Sequence, residues 1–187
     1  MEKLSQKIVC LIEQNIKIDN PQREIIAFGI QSALEIGVNL IASLLILWKL
    51  HMLKEGLFFF IIFIPLRKYS GGYHANTYIN CFLISVIMLI IVMKVSLIIC
   101  FSEMQLFLLI ASLSVIMWKI GPVCVAERPV SEREYKLFRD KLKKTICFII
   151  VLTICLGIIG KKQLLNILFL SMSCVLSTLV IGKIKYD

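Results

Sequence analysis

A histidine and a cysteine, His74 and Cys81, lie seven positions apart in the segment 67–81. A cysteine is nucleophilic as its thiolate, and a nearby imidazole can take the thiol proton and return it to a leaving amine. Arg67 and Lys68, at the start of the segment, add positive potential that favours the thiolate. The segment therefore holds the residue types that amide cleavage by a cysteine nucleophile requires.

The spacing of this pair sets a geometric condition. In an unbroken helix the two residues would share a face but lie about 10 Å apart along the axis, whereas proton transfer needs hydrogen-bond reach. We therefore expect an interruption in the stretch 76–80, with Gly71-Gly72 allowing a tight turn before it. On spacing alone the alternative stays open, that His74 is an interfacial polar residue and Cys81 a buried thiol.

A third group that would orient the imidazole is not obvious from the sequence; the candidates are Glu35, Asn39, Ser70, Asn76 and Asn80. Gln31, Glu35 and Asn39 recur four residues apart inside an apolar run, so they share one helix face. A carboxylate within a membrane span usually faces protein or a water-filled cavity. That face is either a polar contact between helices or a wall of the active-site cavity.

The elements that must position these residues are predicted from hydrophobicity. The 187 residues are 59% hydrophobic, well above the share usual in soluble domains, which predicts one all-α, polytopic membrane domain over 1–187. Residues 1–20 have the spacing of an amphipathic interfacial helix. Six membrane helices follow, at 25–48, 52–66, 78–95, 104–120, 145–160 and 164–182. Between them we expect an active-site loop at 67–77 and a basic cytoplasmic loop at 121–144, which contains a short amphipathic helix.

The charge distribution predicts the orientation. With the N-terminus in the cytoplasm, sixteen of the 21 Lys and Arg residues fall on the cytoplasmic side, as the positive-inside rule requires. Both termini and the segment 67–81 are then cytoplasmic in a multi-pass protein of the cell membrane.

Topology and anionic lipid account for most of the net charge of +9, so we expect no nucleic-acid partner. The seven cysteines show no metal-binding spacing, so we expect no metal or cofactor.

The segment resembles that of the accessory gene regulator protein B family (AgrB), membrane peptidases of Gram-positive quorum sensing. The matching pattern is a basic pair, a glycine, His-Ala, and a Cys seven residues past the His; the chain has Arg67-Lys68, Gly72, His74-Ala75 and Cys81. The resemblance covers nearly the whole chain. It implies that Cys81 is the nucleophile and His74 the acid/base partner, with Arg67, Lys68 and Gly72 in supporting positions.

The resemblance also implies a substrate and a reaction. Family members cleave the C-terminal part of a small precursor peptide (AgrD) through an acyl-enzyme thioester. A Cys or Ser of the precursor then attacks the thioester and closes a thiolactone or lactone ring. The implied partners are an AgrD-type precursor, membrane lipid and a second copy of the chain in a homodimer.

One departure from the family pattern concerns the loop before the fifth apolar run. Some members carry a run of lysines there, whereas the stretch 121–129 has one cation, Arg128, and one acid, Glu127. Further cations follow, and the predicted substrate-binding residues are Arg128, Arg133, Lys136 and Arg139. This cluster either binds an acidic precursor tail or serves as a topology signal, and Cys124 is given no role.

Two other classes of protein compete with a peptidase. A small membrane transporter or exporter of peptides would use Glu35 as pathway lining, although no paired broken helices indicate an inverted repeat. A structural subunit would have no chemistry at all.

Overall fold

The apolar runs of the chain form helices, and the computed structural model describes residues 2–13, 19–72, 77–123 and 131–186. Within these residues the helices are α1 (Glu2–Glu13), α2 (Asn20–Lys49), α3 (Leu53–Ser70), α4 (Tyr78–Ile98), α5 (Glu103–Ile120), α6 (Glu132–Ile159) and α7 (Lys162–Tyr186). In the described part of the chain the one β-type pairing is an isolated parallel bridge between Gly71 and Val123. The prediction of an all-α protein is confirmed.

Five helices are long and apolar enough to cross a membrane: α2, α4, α5, α6 and α7. Large apolar side chains stand out from them, among them Ile98 at 74% exposure and Ile158 at 82%. Such surface is covered by lipid or by a partner rather than left in water. The chain therefore has the helices of a multi-pass membrane protein.

The other two described helices, α3 and α1, are not among the candidate membrane spans. Helix α3 is 18 residues long and carries two charges near each end, Lys54, Glu55, Arg67 and Lys68, so it is not among these five candidates. Six membrane spans therefore stay a prediction. Helix α1 occupies part of the predicted 1–20 segment, and its place at the membrane surface stays a prediction as well.

Two helices extend into segments that were predicted to be loops. Helix α3 runs past 66 to Ser70 because Gly71, with φ at +67°, is the residue that ends it; Arg67 and Lys68 are therefore helical rather than part of a loop. Helix α6 begins at Glu132, inside the predicted loop 121–144. It starts there because Ser131 and Glu134 form a capping box, in which each side chain accepts from the other residue's backbone N–H.

The chain contains two compact units, Met1–Ile46 and Leu47–Asp187. In the first, Arg23 Nε lies 2.8 Å from Glu13 Oε1, an ion pair between α2 and α1. In the second, α7 packs against α3, α4, α5 and α6 and is the most buried of the five candidate spans. The site residues of the segment 67–81 belong to this second unit.

The beginning of α7 is tied to the end of α4. The Asn166 side chain donates to the carbonyl oxygens of Ser96, at 3.0 Å, and Ile99, at 3.4 Å. Carbonyl groups at the end of a helix accept no hydrogen bond from the helix itself, so the Asn166 amide supplies the donor that these two carbonyls would otherwise lack. We call the beginning of α7, where Asn166 makes these contacts, the Asn166 end.

Candidate active site

Cys81 lies in the first turn of α4 and is half-buried. Thr77 caps the helix: its backbone is extended, with φ at −127° and ψ at 146°, and its hydroxyl accepts from the Asn80 N–H at 3.4 Å. The Cys81 N–H donates to the Thr77 carbonyl at 3.1 Å, the first intrahelical bond. The cysteine therefore stands at the positive end of a helix dipole.

The extended backbone of Thr77 lies between positions 74 and 81. A helix running through both residues is thereby excluded, and the break falls within the predicted stretch 76–80. The geometric condition set by the seven-residue spacing is met at Thr77. His74 and Asn76 themselves lie outside the described residues.

The two glycines before this break are held by backbone hydrogen bonds. The Gly72 N–H donates to the Val123 carbonyl at 3.2 Å, and the Val123 N–H donates to the Ser70 carbonyl at 2.8 Å. The chain after α3 is therefore docked on the chain after α5. We call Ser70–Gly72, Val123 and the adjoining turn of α7, Thr178–Leu179, the glycine end.

Only glycine fits at either position. Gly71 and Gly72 have φ of +67° and +100°, a region that L residues with side chains rarely adopt. A Cβ on Gly71 would overlap the Val123 carbonyl, and one on Gly72 would lie 2.7 Å from the Thr178 carbonyl oxygen and 2.9 Å from Leu179 Cα. The glycines are required by both conformation and space.

Arg67 braces the same turn from α3. Its Nη1 donates to the Gly71 carbonyl and, at 3.3 Å, to the Thr178 hydroxyl. Thr178 itself donates to the Val175 carbonyl at 2.8 Å. One terminal nitrogen of the guanidinium, which carries two N–H groups, thus fixes the end of α3 against α7.

Lys68 is placed differently from its neighbour. It is exposed, and its Nζ lies 6.0 Å from the Tyr69 ring. Lys141 of α6 lies over the same ring at 5.5 Å. The basic first half of α6 therefore reaches the end of α3 that precedes the glycines.

Three of the four predicted substrate-binding residues lie in this basic first half of α6. Arg133, Lys136 and Arg139 are exposed and helical, and a spacing of three places them along one side of a helix. Arg128 lies outside the described residues. A substrate contact for any of the four stays a prediction.

The polar face of α2 lies in the unit Met1–Ile46. The Gln31 amide donates to Glu35 Oε1 at 3.0 Å, as their four-residue spacing indicates. Asn39 Oδ1 is buried and has no hydrogen-bond partner among the described residues. An orienting or cavity-lining role for these three side chains stays a prediction.

Sequence reasoning did not find Val123 and Thr178. Neither carries a reactive group, and they are 51 and 106 positions from Gly72 in the sequence. Their backbone and hydroxyl groups matter only because the fold brings them against the glycines. Local patterns in a single sequence contain no signal for such contacts.

Comparison with known proteins decides the family. The family model described as "Accessory gene regulator B" matches residues 5–181. The chain belongs to this family. "Putative AgrB-like protein 2" of Clostridium perfringens strain 13 is 26% identical over 90% of the chain and 86% of its own length. An AgrB-like protein of C. perfringens strain SM101 is 27% identical over 77% of the chain and 67% of its own.

No solved structure matches the chain. The family match extends the resemblance to AgrB from the segment 67–81 to residues 5–181. Membership links the protein to peptide processing in agr quorum sensing and to the precursor peptide of that system.

Proposed function

We propose that the protein is a membrane cysteine endopeptidase that cleaves an AgrD-type precursor peptide and promotes its cyclisation. The observation that carries the proposal is the position of Cys81, in the first turn of α4 directly after a capped helix break and a braced glycine turn. A helix N-terminus stabilises nearby negative charge, so this position suits an anionic sulfur. The braced turn gives the chain carrying His74 a fixed starting point.

The reaction proceeds in two exchanges at one carbonyl carbon. Cys81 Sγ attacks the carbonyl carbon of the scissile bond, the C–N bond breaks, and His74 passes the thiol proton to the leaving amine. A thiol or hydroxyl of the precursor then attacks the resulting thioester, and the S–C bond to Cys81 breaks. The proton of the attacking group returns through His74 to the Cys81 thiol, which regenerates the enzyme.

A location at the membrane boundary serves the second exchange. Water would hydrolyse the thioester and release a linear product, and apolar helices around the site lower the access of water. A precursor bound at the membrane surface would present its scissile bond at a fixed depth. We place the site and both termini on the cytoplasmic side, because that orientation puts sixteen of the 21 cations inside.

The supporting residues divide by what they contact. Arg67 and Gly72 build the turn that leads to His74, so their role is to position the site. The exposed cations Lys68, Arg133, Lys136 and Arg139 are free of that task and are proposed to attract an acidic part of the precursor. The active form is proposed to be a homodimer.

The proposal is tested by co-expressing the protein with a precursor peptide. Wild type should release the cyclic product, and Cys81→Ala and His74→Ala should each abolish cleavage. Cleavage by either variant would overturn the catalytic assignment. Unchanged cleavage combined with lost export of the product would favour the transporter instead.

Thiol reactivity supplies an independent test. Cys10 and Cys100 are exposed, whereas Cys81 is only half-exposed, so exposure alone predicts slower alkylation of Cys81. An activated Cys81 should react faster than both despite its lower exposure. Slower or equal labelling would count against a thiolate at this position.

A further inference from the structure

An apolar groove lies between α5 and α6 and includes no residue of the glycine end. Its volume is about 390 Å³, and it is lined by Ala111, Ser114, Val115, Trp118, Lys119, Ile146 and Ile150. The hydroxyl of Ser114 is satisfied within its own helix, since it donates to the Ile110 carbonyl at 2.8 Å. The wall of the groove is therefore apolar apart from Lys119.

The cationic end of the groove lies at the boundary of the apolar runs. Lys119 is in the last turn of α5, and Lys143 lies three residues before Ile146, where the apolar part of α6 begins. The Nζ of Lys143 lies 5.2 Å from the Trp118 ring, which itself lines the groove. Tryptophan and lysine at such a boundary are typical of the headgroup level of a bilayer.

Neither lysine is neutralised within the described residues. No carboxylate of that part of the chain lies within 4.0 Å of Lys119 or Lys143, and Asp140, one turn before Lys143, is exposed and makes no such pair. Two cations and an indole thus lie at one end of the apolar groove. From Ala111 to Lys119 the groove runs about 12 Å, at ~1.5 Å rise per residue.

We propose that this groove binds an anionic phospholipid, with one acyl chain along Val115, Ile146 and Ile150 and the headgroup phosphate at Lys119 and Lys143. The charge is complementary, because basic side chains at the membrane surface attract anionic headgroups. The shape is complementary as well, because only the lysine end of the groove is polar. The site is independent of the proposed peptidase chemistry.

A second groove provides a matched comparison. It has a similar volume of about 360 Å³ and contains the other tryptophan, with lining residues Trp48, His51, Leu53, Lys54 and Glu55. Here the cation has an acidic neighbour in the sequence, so the local charge is balanced. An anionic lipid should have no preference for this groove.

The experiment uses tryptophan quenching by brominated lipids. The chain has two tryptophans, so Trp48→Phe reports on Trp118 and Trp118→Phe reports on Trp48. Each variant is placed in phosphatidylcholine vesicles with a fifth of phosphatidylglycerol, with bromine on the acyl chains of one lipid or the other. For Trp118 we expect phosphatidylglycerol to be enriched about threefold or more over its share of the bilayer, and for Trp48 no enrichment.

The lysines are tested in the same assay. Lys119→Gln with Lys143→Gln should remove the enrichment, and Lys161→Gln with Lys162→Gln should leave it unchanged. Arginine at both positions should retain it, which distinguishes charge from a folding defect. Equal quenching by the two lipids would overturn the proposal. Absence of quenching by either lipid would do so too, since a second copy of the chain would then cover the groove.

Discussion

The two ends of α7 are both tied to neighbouring helices, but by different groups. At the Asn166 end a side-chain amide donates to two carbonyls that close α4. At the glycine end Arg67 donates to the Thr178 hydroxyl of α7, and the turn that Arg67 holds depends on backbone hydrogen bonds to Val123 and on positive φ at two glycines. A side-chain contact can be lost with modest damage, whereas a backbone contact is lost only if the chain takes another path. The site lies beside the end that tolerates less change.

The largest effect should come from Gly72→Ala. Its Cβ would lie 2.7 Å from the Thr178 carbonyl oxygen, so the turn must move, and a shift of about 1 Å can cost about 100-fold in rate. Precursor cleavage by purified protein measures this.

The matched control for that variant is Gly160→Ala. Gly160 also has a positive φ, +73°, but a Cβ there meets nothing within 4 Å. Only conformational strain remains, about 1 kcal/mol, so cleavage should stay near the wild-type rate. Equal losses in the two variants would show that close packing at the glycine end is not what matters.

Arg67→Gln should have the next largest effect. The variant loses the charged hydrogen bonds to the Gly71 carbonyl and the Thr178 hydroxyl, and bonds to charged groups contribute about 1.5–3 kcal/mol. We expect cleavage to fall about tenfold or more. Lys68→Gln, which changes an exposed cation, should cost far less at saturating precursor; if it costs as much, the basic pair acts by charge and not by bracing.

At the opposite end Asn166→Leu should lower stability rather than activity. Two carbonyls lose their donor, at a cost of about 1–3 kcal/mol, so thermal unfolding in detergent should shift downward. Cleavage per folded molecule should be unchanged. Ser173→Ala, which removes a hydroxyl bonded only to its own helix at Phe169, should shift the transition less than Asn166→Leu does.

Among the substitutions that alter the glycine end or its Arg67 brace, Thr178→Val should lower the cleavage rate least. This nearly isosteric change removes one acceptor of Arg67, worth about 1 kcal/mol, and leaves the contact with Gly71. Cleavage should fall roughly fivefold, and Thr178→Ser should restore it. A Val variant with wild-type cleavage would restrict the role of Arg67 to Gly71.

The sequence predicted the helices better than their contacts. Apolar runs predicted at 78–95 and 104–120 correspond to α4 and α5, which begin at Tyr78 and Glu103, because lipid-facing helices need long apolar stretches. A short amphipathic helix was predicted within 121–144, but its continuity with the membrane helix predicted from 145 was missed, since hydrophobicity separates the basic first half of α6 from its apolar second half.

For the candidate site the reactive pair and the need for a helix break could be predicted from residue types and spacing. The break is at Thr77. The brace of the glycine turn could not be predicted, because Val123 and Thr178 contribute a backbone carbonyl and a hydroxyl from distant parts of the chain. Reactive groups can be recognised in the sequence by their side-chain types. Their positioning depends on contacts with Val123 and Thr178 that form only when the chain folds.

The most direct test of the central claim is to trap the acyl-enzyme. A precursor whose ring-closing residue is replaced by alanine can complete the first exchange but not the second. Wild type mixed with it should gain the mass of the acyl fragment on the peptide that contains Cys81, and hydroxylamine should remove that mass. Cys81→Ala should show no adduct. An adduct on another residue, or cleavage without any adduct, would contradict the account.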